Sequence, residues 1–72
     1  MKHEFDTLDD MLKEISPYIT TRALARICGI NESQMLQYKS GQQKISPRTI
    51  AIINERLSTF ADELKQLKLK GA

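Results

Sequence analysis

Five cations gather in the middle of this chain: Arg22, Arg26, Lys39, Lys44 and Arg48 lie between residues 20 and 48, with Glu32 as the one acid among them. That stretch carries a net charge of +4, against −3 for residues 1–19 and +1 for residues 49–72. Guanidinium and ammonium groups clustered beside an acidic start are the asymmetry expected of a face that meets a polyanion. The same counts also fit a solvated surface whose charges cluster without a partner. Bond-making chemistry has far less to work with. The chain holds one histidine, His3, and one cysteine, Cys28, with no nucleophile–base pair, no ligand cluster and no phosphate-cradling glycine loop. His3 has no second ligand nearby in sequence. Neither an enzyme nor a bound cofactor or metal is expected.

The whole chain bounds the structure that must position those groups. Its 72 residues suffice for one domain, 1–72, near the lower size at which a single core is enough. With 40% hydrophobic and 28% charged residues it has the composition of a globular chain. The longest apolar run, Ile50 to Ile53, is four residues, far short of the roughly 20 that span a bilayer. Glu4, Asp6, Asp9 and Asp10 near the start argue against a secretory signal. Cys28 has no internal disulfide partner, which suits a reducing compartment. A cytoplasmic, nucleoid-associated location is expected, with no membrane partner.

Capping residues and apolar spacing predict helices throughout and no strand. Thr7 with Asp10 three residues later resembles a capping box and starts a helix near Leu8. Leu8, Met11, Leu12 and Ile15 continue it, and Pro17 ends it. Thr20 caps a second short helix with an apolar stripe of Ala23, Leu24 and Ile27, and Gly29 closes it in a left-handed conformation. Asn31, with Gln34 to complete a reciprocal box, opens a third helix that buries Met35 and Tyr38 and ends at Ser40-Gly41. Ser46-Pro47 is a capping serine followed by proline at the first helical position, and a long helix follows over 47–68. Cys28, Met11, Met35 and the aromatics Phe5, Tyr18, Tyr38 and Phe60 read as core.

The informative constellation surrounds Gly29. Two helices cross steeply through a short turn only where certain positions are small or apolar. Ala25 permits close approach, Gly29 takes the strained position, and Ile30, Met35 and Tyr38 lock the angle. One face of the 31–40 helix is then left exposed for a major groove. From Thr20 to Leu57 the chain resembles the lambda-repressor-like, Cro/repressor-type (XRE) helix-turn-helix family. The resemblance rests on Leu24-Ala25, Gly29-Ile30-Asn31, Met35, Tyr38, Ser40-Gly41, Lys44, Ser46-Pro47, Thr49-Ile50 and Leu57. It implies an all-α, compact bundle of four to five helices, with the helix-turn-helix pair over 20–41 and a long C-terminal helix. It also implies a small transcriptional regulator, of repressor type, that binds double-stranded DNA.

Carried onto this chain, the family's base-reading positions fall on Glu32, Ser33, Leu36, Gln37 and Ser40. Gln37 can pair with adenine, and Leu36 can pack on a thymine methyl. Phosphate contacts are expected from Thr21, Arg22, Asn31 through the helix N-terminus, Gln43, Lys44 and Arg48. The plainer reading of Ser33 and Gln37 is solvated helix surface. Departures from the family are Thr21 where glutamine is frequent, Gln37 where a basic residue is usual, Glu32 near the helix entry, and apolar Leu36 at an exposed place.

The last helix carries a second pattern. Ile50, Ile53, Leu57, Phe60, Leu64 and Leu67 alternate spacings of three and four, a heptad seam of about two and a half repeats. Its first half must cover the core with the first helix. Its second half is covered either by Phe5, Leu8, Leu12 and Ile15 folding back, or by a second copy through Leu57, Phe60, Leu64 and Leu67. A homodimer would match operators with two half-sites. An alternative function of another class is a protein-interaction module, or an antitoxin-like accessory protein, of the same fold with weak or no DNA binding. Glu32, the uncharged outer face of the 31–40 helix and the apolar seam favour that alternative.

Overall fold

The computed structural model describes residues 4–71, and these form four α-helices and no strand: α1 (Leu8–Ile15), α2 (Thr21–Cys28), α3 (Glu32–Ser40) and α4 (Pro47–Gln66). The expected four to five helices are four among the described residues. His3 lies outside them. Each helix starts where a side chain can satisfy a free N–H group of its first turn. The Asp10 N–H donates to Thr7 Oγ1 at 3.1 Å, the Ala23 N–H to Thr20 Oγ1 at 3.1 Å, and the Thr49 N–H to Ser46 Oγ at 3.2 Å. Pro47 occupies the first turn of α4, where its missing N–H costs nothing.

The helix ends are fixed by backbone geometry. Gly29 adopts φ 70° and ψ 26°, and the Ile30 N–H reaches back to the Ala25 carbonyl at 2.9 Å while the Gly29 N–H meets that of Arg26 at 3.3 Å. That pair of bonds ends α2 and turns the chain sharply into α3. Gly41 repeats the left-handed conformation, φ 81°, at the end of α3. Pro17 follows the Ser16 C-cap of α1, where it halts the helix.

One apolar cluster joins all four helices: Leu8 and Leu12 from α1, Leu24, Ala25 and Cys28 from α2, Met35 from α3 and Ile53 from α4. Leu24 and Met35 are wholly buried, each worth about 1.5–3 kcal/mol relative to exposure. Met11, Ile15, Ile30, Tyr38 and Leu57 pack against the cluster from its edges. Helix α2 is central, packing on both α3 and α4, and α1 covers α3.

Two core expectations are corrected. Tyr18 is 78% exposed. It sits in the turn after α1, its N–H bonded to the Ile15 carbonyl at 2.8 Å, and the chain reversal turns Ile19 inward in its place. Ile50 is 46% exposed and lies outside the core cluster, so the seam of α4 enters the core at Ile53 and Leu57.

Length explains the shape. At 20 residues α4 runs about 30 Å, whereas α1 and α2 have 8 residues each, about 12 Å. The long helix therefore overhangs the bundle, which measures 47 × 22 × 20 Å. Leu64 and Leu67 on the overhang, and Leu69 beyond it, are 48%, 72% and 91% exposed. The first helix does not fold back over them, because Leu8 and Leu12 are consumed by the core.

Candidate nucleic-acid interface

Helix α3 divides into an inner and an outer face. Met35 is buried, and Gln34 and Tyr38 are half-buried on the same side. Glu32, Ser33, Leu36, Gln37 and Ser40, at spacings of three and four, are all exposed. The five expected base-reading positions thus share one solvent-facing stripe. Leu36, Gln37 and Ser40 line one shallow cleft, together with Lys39, Gln42 and Asp9.

The entrance of α3 is organised by Asn31, whose Oδ1 accepts the Ser33 N–H at 2.8 Å. Its side-chain oxygen is thereby spent on the cap, while its N–H₂ and the backbone N–H groups of this first turn remain to meet an anion. The expected reciprocal box with Gln34 does not form. Gln34 Nε2 instead donates to Oε1 of Gln43 in the following loop. Nine residues of separation are closed because Gly41 reverses the chain and brings residues 42–43 back alongside α3. The Gln43 N–H also donates to the Gln37 carbonyl at 3.3 Å, and the Ser40 hydroxyl donates to that same carbonyl at 3.1 Å. The loop is therefore held on the helix by bonds at Gln34 and Gln37. Ser40 and Gln43 have part of their polar capacity committed locally, and Gln43 keeps its side-chain N–H₂ for a partner.

The remaining phosphate candidates separate into groups. Lys44 and Arg48 are exposed, on either side of the Ser46 cap, and form no ion pair within the described residues. Thr21 is half-buried and lines a small cleft with Lys39, Leu12 and Ser16. Arg22 belongs elsewhere: it lines the cleft between α2 and α4 with Arg26 and Arg56, a cleft to which neither α3 nor the 41–46 loop contributes. Lys39 is one of the five clustered cations, yet sequence reasoning assigns it no site. It borders the clefts holding Leu36, Gln37 and Thr21, and its position three residues after Leu36 is the signal that could have placed it there.

Little else in the described residues suggests chemistry. Among the described residues the one ion pair is Lys13 Nζ to Asp9 at 3.2 Å, one helical turn apart and exposed, worth only a few tenths of a kcal/mol. No group of three or more His, Cys, Asp or Glu among them is placed to hold a metal ion. Burial pushes the Cys28 thiol above its ordinary pKa, with the Arg56 guanidinium opposing. None of the described helices is long and apolar enough to cross a membrane.

The chain matches no protein-family model, no curated protein and no solved structure.

Proposed function

We propose that this chain is a sequence-specific double-stranded DNA-binding protein, a small transcriptional regulator of repressor type. In this reading α2 and α3 are a helix-turn-helix pair of the lambda-repressor-like (XRE) kind, and α3 enters the major groove. The observation that carries it is the outer face of α3: five exposed side chains in register, opposite buried Met35, on a helix pinned at its entrance by Gly29 and Asn31 and at its exit by Gly41. A helix so fixed presents base-reading groups at low entropic cost.

The proposed division of labour assigns these groups to bases and phosphates. Gln37 reads an adenine edge and Leu36 a thymine methyl, with Glu32, Ser33 and Ser40 bordering them. Lys44, Arg48, the Gln43 amide, Thr21 and the N–H groups after Asn31 hold phosphates. Arg22, exposed and lining the α2–α4 cleft, is the remaining phosphate candidate. Two copies joined through α4, at Leu57, Phe60, Leu64 and Leu67, would place two α3 helices on two half-sites; the exposed overhang supports that arrangement.

A second reading, a protein-interaction module of the same fold, is favoured by Glu32 at the head of α3 and by the uncovered leucines of α4. Titration of labelled duplex DNA over a series of salt concentrations separates the two. Binding that weakens steeply with salt supports the DNA reading; no binding at low salt favours the module.

A further inference from the structure

The cleft between α2 and the far half of α4 has a volume of about 760 Å³ and is rimmed by Arg22 and Arg26 on one side and Arg56 and Glu63 on the other. Its floor is apolar, with Ala23, Ile27 and Phe60 half-buried. None of the three arginines, nor Glu63, makes an ion pair among the described residues. Arg56 and Glu63 form no ion pair with each other within one helix. Seven residues, or about 10.5 Å of rise, separate them. Both nonetheless line the same cleft, with Phe60 between them.

That arrangement is self-complementary. When a second α4 lies antiparallel across the first with its midpoint near Phe60, Arg56 of each copy comes close to Glu63 of the other. The same overlay brings Leu57 towards Leu64 of the second copy and Phe60 towards Phe60. A two-fold contact requires such reciprocity, in which one residue meets a second and is met by it in turn. Arg22 and Arg26 add positive charge along the wall that receives the second copy's Glu63.

We infer that the α2–α4 cleft is the seat of a second copy of this chain, joined in an antiparallel register that pairs Arg56 of each copy with Glu63 of the other. This deepens the two-copy reading above and rests on it. The contact closes over Phe60 and the leucines of the overhang, and its two symmetry-related charge pairs set the register. A parallel pairing would oppose Arg56 to Arg56 and Glu63 to Glu63, and repel.

Sedimentation of the full chain without DNA, over a wide concentration range, tests this for the wild type, Arg56→Glu, Glu63→Arg and the double reversal. Both substituted side chains are exposed, and helical circular dichroism checks that each variant folds. The expected result is a wild-type dimer weakened by about tenfold or more in each single reversal, and restored in the double reversal. A wild-type chain that stays monomeric throughout overturns both this inference and the two-copy reading. A dimer indifferent to the single reversals, or not restored by the double one, overturns the register alone and leaves the two-copy reading in place. Because no DNA is present, none of these outcomes depends on α3 reading bases.

Discussion

Gln34 on the inner edge of α3 donates its side-chain N–H to the side-chain oxygen of Gln43, and so ties the helix to the loop that follows it. The bond occupies the Gln43 oxygen, leaves its N–H₂ free to donate and fixes where that group can meet a phosphate. Gln34 is then a positioning residue for Gln43. Replacing Gln34 with alanine is expected to cost no more than about 1 kcal/mol of stability. It is also expected to weaken DNA binding as much as Gln43→Ala does. In the double variant the two losses should fall well short of adding, since each removes the same arrangement; denaturant unfolding and duplex titration measure both quantities.

Lys44 and Arg48 are free of ion pairs among the described residues, so their charge is available to phosphates. Lys44→Ala and Arg48→Ala should each weaken binding to all duplexes alike and flatten the salt dependence, by about 0.9 in the log–log slope for each phosphate no longer neutralised. Gln37→Ala should do something different: leave that slope unchanged while relaxing preference at one base pair. Titration of each variant against a preferred and a scrambled duplex distinguishes the two behaviours.

Gly41 stands at φ 81° with no atom within 4 Å of where a Cβ would sit, so the cost of a side chain there is backbone strain alone. Gly41→Ala is expected to cost about 1–2 kcal/mol, and Gly29→Ala about as much. Met35→Ala, which empties a wholly buried site, should cost about 2–5 kcal/mol, a large share of what a domain of this size possesses. Urea unfolding followed by circular dichroism ranks the three.

The Cys28 thiol is buried, and its pKa is raised by that burial. A raised pKa means less thiolate at any given pH than an exposed cysteine would have, and thiolate is the form that reacts. Alkylation of the native chain should therefore be slow at neutral pH, and should accelerate in the Met35→Ala variant, where the packing around it opens more often. Mass spectrometry of timed iodoacetamide reactions measures the rates.

Features that depend on three or four neighbouring residues were legible in the sequence. Thr7, Thr20, Asn31 and Ser46 cap their helices, and Gly29 and Gly41 close two of them, because these bonds span a single turn. Met35 and Leu24 were legible as core for the same reason: helical spacing sets which face they share. Tyr18 was not, since apolar character does not say which way a turn residue points. Gln34 looked like half of a capping box, yet its partner lies in a loop whose path depends on Gly41. The α2–α4 cleft was the least legible, because Arg26 and Arg56 come together only when α2 packs on α4. The outer face of α3 could be read in advance as exposed, since Met35 and Tyr38 fix what is inside.

The proposed function stands or falls on whether α3 reads duplex DNA by sequence. Selection from a random duplex pool at near-physiological salt tests it most directly. Enrichment of a palindrome whose two half-sites lie one or more helical turns apart is the expected result. A pool that emerges unenriched, under conditions where the chain is folded, would contradict it.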